Sequence, residues 1–279
     1  MIYYAAYIVL AFSVLQLIVA FVNWVFAEKL HENDVCSSDK TISVLIPARN
    51  EENNIANLLT DLSKSNGNIT EIVVFDDNSD DNTAQIVRTF STNDSRIRLI
   101  QSVVLPEGWL GKNNACHQLA LQAKGDYLLF LDADVRIKNT LPNALLCYAL
   151  KYETDLLSIF PVQQMQTLPE KITVPLMHFI LLTLLPLPLV LRSKFASLSA
   201  ANGQCMFFDA ITYHKLLPHK QFKKSRAEDI EIARYYKRNH KKTSCLTGTK
   251  QVQCRMYSSL NQSIEGFSKN VSFFSEIQT

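Results

Sequence analysis

Apolar and polar positions divide the chain into three regimes. From Tyr3 to Phe26 no side chain is charged, and only Gln16 and Asn23 are strongly polar. These 24 residues exceed the roughly 20 that cross a bilayer as a helix. A cleaved signal peptide fits poorly, because no basic segment precedes the run and no small-x-small site follows before Glu28. Tyr3, Tyr4 and Trp24 suit the membrane interface. Residues 1–28 are therefore expected to be a retained transmembrane anchor, and 29–40 a polar linker.

The second regime alternates. The run Ile42 to Ile46, stopped by Pro47, predicts a strand; Ile55, Leu58, Leu59 and Leu62 then fall on one helical face. Glu51 and Glu52 sit where a helix N-terminus favours acids. Glu71 to Phe75 predicts a strand, Asp76 to Asp81 a polar turn, Thr83 to Phe90 a helix and Ile97 to Gln101 a strand. Gly111 to Ala123 reads as a helix with Gly125 as its stop, Tyr127 to Leu131 as a strand and Pro142 to Tyr152 as a helix. Fully apolar strands alternating with helices predict an α/β fold, a mostly parallel sheet covered on both faces. Ligands bind beyond the carboxyl ends of such strands, where this chain places "PARNEE", "DDNSDD" and "DADVR".

After Phe160 the alternation breaks. Ile172 to Leu191 is apolar, but Pro175, Pro186, Pro188 and His178 interrupt it, and Arg192 and Lys194 follow. A bent, in-plane amphipathic element is favoured over a second span. Gly203 to Phe208 predicts a strand and Ala227 to Asn239 a helix; "VQCRMYSSLNQSIEGFSKN" predicts a strand, a turn and an amphipathic helix. Residues 41–279 are thus expected to form one domain, with a nucleotide-binding half over 41–160 and an acceptor half over 161–279.

Charge changes this picture little. The 279 residues carry 28 Lys and Arg against 26 Asp and Glu, a net +2 that gives no reason to expect a nucleic-acid partner. Ten basic residues do gather between Lys215 and Lys242, as a solvated helical face or a surface toward membrane or phosphate. The six cysteines form no CxxC and no ligand-like spacing with the six histidines. Neither a zinc site nor a disulfide framework is expected, and a reducing compartment fits.

The chemistry starts at "YLLFLDADVRI", residues 127–137, where a buried strand runs into two carboxylates. Two acids side by side repel unless a positive charge joins them. A divalent cation, Mg²⁺ or Mn²⁺, favours oxygen ligands and commonly takes one or two carboxylates plus substrate phosphates.

"SVLIPARNEE", "VVFDDNSDDNT", "PEGWLGKNNACHQLA", "GDYLLFLDADV", "ANGQCMFF", "AEDIEIARYYKR" and "CRMYSSL...EGFSKN" occur in that order from about Ile42 to Asn270. Together they resemble the family 2 glycosyltransferases of the GT-A fold, in particular the membrane-associated branch acting on lipids, carotenoids or hopanoids. The resemblance implies an inverting transfer of a hexose or N-acetylhexosamine, from a nucleotide sugar (UDP-linked by preference) to a hydroxyl of a lipid-type acceptor. It implies a nucleotide site from Pro47, Arg49, Glu51 and Asp77, with Asp77 on the uracil edge; in ordinary structural terms Asp77 is an Asx-turn residue. Lys112 would meet the diphosphate at a helix N-terminus, though a lone lysine is more often solvated. Asp134 would ligate the metal and Asp132 contact the ribose or the metal shell. Asp229 would be the general base with Glu228 beside it, where the bland alternative is an acid pair favoured by the helix dipole. The catalytic domain would face the cytoplasm at the cell membrane, with the N-terminus outside.

Two departures qualify the resemblance. Processive members carry Gln-x-x-Arg-Trp where this chain reads "QVQCRMY"; Arg255 is still expected to reach the diphosphate, but not in a processive enzyme. Relatives of this branch also continue into C-terminal transmembrane segments, so a truncated form or reliance on the N-terminal anchor is expected. Two other classes stay open. "FLDADV" resembles the nucleophile motif of haloacid-dehalogenase-type phosphatases, although there the motif opens the domain and the second acid pair lies downstream. A membrane-anchored nucleotide-binding partner without turnover is the other.

Overall fold

The computed structural model describes residues 2–31, 36–65, 68–102 and 104–255. In chain order the elements are α1 (Ile2–Phe26), β1 (Ile42–Ala48), α2 (Ile55–Ser63), β2 (Ile69–Asp76), α3 (Thr83–Asn93), β3 (Ile97–Gln101), α4 (Gly111–Gln122), β4 (Tyr127–Leu131), β5 (Val135–Ile137) and α5 (Leu141–Tyr152). There follow β6 (Leu156–Phe160), β7 (Val162–Gln163), α6 (Leu168–Leu184), α7 (Pro188–Arg192), β8 (Cys205–Asp209), α8 (Ala210–Leu216), α9 (Pro218–Gln221), α10 (Glu228–Arg238), β9 (Thr243–Thr247) and β10 (Val252–Cys254). The turn and helix expected after Cys254 lie outside the described residues.

Seven strands form one sheet in the order β3-β2-β1-β4-β8-β6-β9, and β8 runs antiparallel to both of its neighbours. The predicted mostly parallel α/β sheet is borne out. Its two faces follow from the two-residue period of a strand. On β1, Val44 and Ile46 enter the core beneath α2, while Leu45 enters the core beneath α4. On β4, Leu129 and Leu131 take the first face, Leu128 and Phe130 the second. Burial on both sides is why these strands read as unbroken apolar runs.

Chain order sets the position of the ligand crevice. The chain builds β1, β2 and β3 outward in one direction, then returns to lay β4 on the other side of β1. The strand order reverses between β1 and β4, the usual place for a ligand in an open α/β sheet. The two strands pair only as far as Leu45 and Phe130, then part. Pro47 lies beyond that point, with β2 alone beside it, so its missing N–H is tolerated. The strand accordingly continues to Ala48 rather than ending at Ile46. A small second sheet, in the order β5-β10-β7, begins just after β4 with β5.

The expected interruption by proline is resolved unevenly. Pro175 is accommodated inside α6, whereas the chain breaks at Leu185–Leu187, around Pro186, and restarts as the short α7. α6 packs on α1. Asn23 joins them: its amide donates to the carbonyls of Leu182 and Leu185, both at 2.8 Å, and its oxygen accepts from the Leu187 N–H at 2.7 Å. One polar side chain of the apolar N-terminal helix thus satisfies the backbone groups exposed by the break in α6.

Three expectations need correction. Cys36 and Cys147 form a disulfide with a Cα–Cα distance of 5.4 Å. It links the linker to α5 across 111 residues, a separation no local spacing announces, and it removes the ground for inferring a reducing compartment. Glu51 and Glu52 are not in the first turn of α2, which contains no acid; Glu52 instead accepts from the Asn82 N–H and amide. The basic run 215–242 is not one face either. Lys237 is buried and donates to the Leu198 carbonyl, Lys241 pairs with Asp155 at 3.0 Å and Lys242 with Glu153 at 2.7 Å.

Candidate active site

Four stretches of chain meet where β1 and β4 part. The first follows β1: Arg49 leaves the strand and Asn50 turns at φ 56. The second follows β2. There the Asx-type contact belongs to Asp76, whose carboxylate accepts from the Ser79 N–H at 3.2 Å. Asp77 is left to face Arg49, at 3.9 Å, with its own N–H bonded to the Ala48 carbonyl. Asp77 is 7% exposed. The start of α4 presses against it: a Cβ on Gly111 would lie 2.4 Å from Asp77 Oδ2, so a side chain there would push the Asp77 carboxylate aside.

Lys112, the next residue, reaches the third stretch. Its Nζ lies 2.8 Å from Asp132 Oδ1 and 2.9 Å from Oδ2, with Glu228 Oε1 at 3.9 Å. Burial works against the ammonium charge, but Asp132 and Glu228 outweigh it and hold the Lys112 pKa above its ordinary value. The expected solvated or phosphate-bound lysine is here the counter-charge of two acids. Asp132 is fixed through its backbone, with its N–H donating to the Gln204 carbonyl at 3.1 Å.

The fourth stretch brings in α10. The Asn113 amide donates to the carbonyls of Phe222 and Ser225, both at 2.9 Å, and the Leu110 N–H to Lys223 at 2.9 Å. These bonds pin the loop before α10 to the start of α4, so Glu228 and Asp229 enter the crevice. Asp229 Oδ2 accepts from the Gly203 N–H at 3.1 Å and Oδ1 from the Ile230 N–H at 2.8 Å. Both acids open the helix, as its dipole favours, yet both also turn into the cluster. A Cβ on Gly203 would lie 3.4 Å from Lys112 Nζ and 3.6 Å from Glu228 Oε1, so the chain before β8 forms the floor beneath all three.

The electrostatics follow from crowding. Burial pushes Glu228 up to about 7, Lys112 opposes this and the Asp229 charge adds to it. Asp229 is also raised, by burial first, against the Ile230 and Gly203 N–H groups and Lys112. The two titrate as a pair. Asp134 is raised by burial and by Asp132, with the Cys254 thiol opposing. Glu51 is raised by burial, then lowered by the Asn54 amide at 2.8 Å and raised again by Asp134 and Asp132.

A consequence for stability can be measured. Glu228 holds its proton in the folded chain from its ordinary value of 4.5 up to about 7. In that window the unfolded chain binds fewer protons, so stability falls as pH rises. Thermal melts of Glu228→Gln are expected to vary less between pH 5 and pH 8 than those of the unmodified chain. An equal slope in both would remove Glu228 from the proton balance.

Among the described residues, no group of three or more His, Cys, Asp and Glu could hold a metal ion. Asp134 nonetheless has an unused acceptor: Oδ1 is buried and without a partner, while Oδ2 accepts from the Cys254 thiol at 3.3 Å. A buried carboxylate oxygen with nothing to bind fits a cation completed by oxygens of a bound phosphate. Arg255 is placed otherwise than expected. It pairs with Glu170 at 2.9 Å, and backbone bonding, first from Thr167, together with Arg255 lowers Glu170 to about 2 despite its burial. The pair ties the end of β10 to the start of α6. Of the expected site residues, Lys112, Asp132, Asp134, Glu51, Glu228 and Asp229 gather in one cluster. Arg49, Asp77 and Pro47 form its neighbour across Gly111. Gly203, Gln204 and Cys254 were missed, because the turn before β8 and the strand β10 reach the site through long-range contacts that no spacing encodes.

The model of glycosyl transferase family 2 matches residues 43–195. A 4,4'-diaponeurosporenoate glycosyltransferase of Staphylococcus haemolyticus is 29% identical over 241 residues, 83% of this chain and 61% of that protein. The Staphylococcus aureus protein of the same name is 32% identical over 125 residues, 44% of this chain and 32% of its own. The chain thus spans less than two-thirds of these curated relatives. Among solved structures, a mannosyltransferase from Pyrobaculum calidifontis in complex with GDP-Man and Mn²⁺ superposes with a TM-score of 0.62 at 17% identity, covering 91% of this chain and 68% of that one. S. aureus TarS 1-349 in complex with UDP-GlcNAc gives 0.55 at 21%, covering 80% and 60%. Both share the fold.

Proposed function

The chain belongs to glycosyl transferase family 2, and from that membership we propose that it is an inverting hexosyltransferase. It moves a hexose or N-acetylhexosamine from a nucleotide sugar, UDP-linked by preference, to a hydroxyl of a lipid-type acceptor. The observation that carries this is the cluster around Lys112, with an acid held on two backbone N–H groups on one side and a carboxylate with one buried, unpartnered oxygen on the other. Asp77 and Arg49 receive the base, across Gly111 from the start of α4. Asp134 would hold Mg²⁺ or Mn²⁺, which supplies charge to the departing nucleoside diphosphate. Asp229 takes the proton of the acceptor hydroxyl as it attacks the anomeric carbon, and Glu228 and Lys112 hold the local charge. Arg255 acts at a distance, by fixing β10 to α6.

The acceptor class draws support from α1 and α6. Tyr3–Phe26 has a mean hydropathy of 2.5 and no burial inside the molecule over its most apolar window. Ile172, Leu176, Phe179 and Leu184 of α6 are exposed, and Asn23 locks the end of that helix to α1. We take α1 as the anchor and α6 with α7 as an element dipping into the same leaflet, so that 161–255 carries the acceptor side and 41–160 the donor side. The names of the relatives favour a carotenoid-type lipid. Cytoplasmic placement now rests on the donor alone, since nucleotide sugars are cytoplasmic.

The phosphatase alternative loses its support, because "FLDADV" lies inside the stretch matched by the family. The experiment incubates the membrane-bound protein with labelled nucleotide sugars and lipid extract, with and without Mn²⁺, the extract holding hydroxylated and carboxylated polyenes. Mn²⁺-dependent label in the lipid phase is expected from a UDP-sugar. No label from any donor, with intact UDP binding, would favour the non-catalytic alternative.

A further inference from the structure

We propose that Cys254 is a positioning residue for Asp134, its thiol holding one carboxylate oxygen so that the other is presented to the donor's cation. This rests on the donor-site assignment made above for Asp134. β10 pairs antiparallel with β5, and Cys254 sits opposite Val135, the residue after Asp134. The thiol donates to Asp134 Oδ2 at 3.3 Å. It is itself aimed, since the Gln204 amide donates to Sγ at 2.9 Å and the Gln163 amide to Gln204 Oε1 at 3.4 Å.

Gln204 works on both members of the "DADV" stretch at once. Its carbonyl accepts from the Asp132 N–H at 3.1 Å while its side chain sets Cys254. The strand beyond is held just as firmly: Asp61 takes Arg136 at 2.6 and 2.8 Å and the Ile137 N–H at 3.2 Å. Asp134 is therefore fixed from behind on one oxygen, and its other oxygen is buried with no protein partner. A carboxylate turned 180° about its last bond would present the same atoms, but a tilted one would not, and the thiol sets the tilt. Sulfur suits the role because it is a weak donor that restrains the carboxylate without competing strongly for its charge. Residues that orient a metal ligand in this way typically change metal affinity by about 10–100-fold when removed.

The test measures Mn²⁺ affinity in the presence of UDP by electron paramagnetic resonance, with thermal melts alongside. Cys254→Ala and Cys254→Val remove the donor and are expected to weaken Mn²⁺ about tenfold or more with folded melts retained. Cys254→Ser restores a donor and is expected to recover most of the loss. Gln204→Leu leaves the thiol in place but unaimed, and gives a smaller loss in the same direction; it carries the test if the Cys254 variants fail to fold. Unchanged Mn²⁺ affinity in Ala and Val, or a loss in Ser equal to that in Ala, overturns the proposal and leaves the donor site standing. An unmodified chain that binds UDP without any Mn²⁺ overturns both.

Discussion

Asp229→Asn is expected to lower the transfer rate by about 10²–10⁴-fold, the range for losing a general base, while donor binding changes little. The substitution keeps the shape of a side chain whose two oxygens accept from the Gly203 and Ile230 N–H groups. One of those bonds survives through the amide oxygen, and the loss of the other is local to α10. What vanishes is the lone pair that takes a proton. Asp229 is a suitable base because its environment raises it from the usual 3.8, closer to neutrality, where a base is both free and strong enough to act. Glu228→Gln is the comparison. Glu228 faces Lys112 at 3.9 Å and its proton balance is set by burial and charge, so its loss should alter the pH profile more than the maximal rate. Steady-state transfer with titrated UDP-sugar separates the two, and unchanged transfer in Asp229→Asn would refute its role.

The same neighbourhood shows which features a sequence carries and which it does not. β1, β2 and β4 were legible because both faces of each are buried, which forces nearly continuous apolar runs; the edge strand β3 was legible from the alternation of Ile97, Leu99 and polar neighbours. Asp132 and Asp134 were legible through position, because acids directly after a buried strand have few structural reasons to be there; Asp229 was legible only through the family resemblance, because the dipole alone favours acids at the start of α10. β9 and the two-residue β7 lie at sheet margins and are defined by their neighbours, whereas β6 is an inner strand between β8 and β9 that the sequence reading did not pick out. The roles of single charges were the hardest part. Nothing in "GWLGKNNA" says that Lys112 turns inward to Asp132, and nothing in "QVQCRMY" says that Arg255 turns to Glu170 85 residues away. Both pairings are long-range contacts set by the sheet order. Cys254 is the clearest omission, because a cysteine without a spacing partner looks like filler until β10 is laid beside β5.

Removing divalent cations is expected to weaken UDP-sugar binding at least 100-fold, and Asp134→Asn is expected to do the same with cations present. The reason is a charge count in the crevice. The charge of Asp132 acts on Glu51, Asp134, Glu228 and Asp229, and Asp134 adds to it at Glu51 and Asp229 at Glu228, while Lys112 opposes them at Asp134, Glu228 and Asp229. Lys112 is already engaged by both oxygens of Asp132. A diphosphate brings further negative charge into this space. At an effective dielectric of about 20, two unit charges 4 Å apart interact by about 4 kcal/mol, so a single uncompensated repulsion exceeds the roughly 2.7 kcal/mol that separates 100-fold in affinity. Protonation of the Glu228–Asp229 pair relieves part of this, but it also disables the base. A cation on Asp134 would relieve it without that loss, so the proposed cation would serve binding as well as chemistry. Calorimetric titration of UDP-sugar in Mn²⁺ and in chelator measures the effect. Asp134→Asn should bind the donor equally weakly in both. Full-strength donor binding in chelator would mean that Lys112 releases Asp132 and meets the diphosphate itself, and the cation would then have no part in holding the donor.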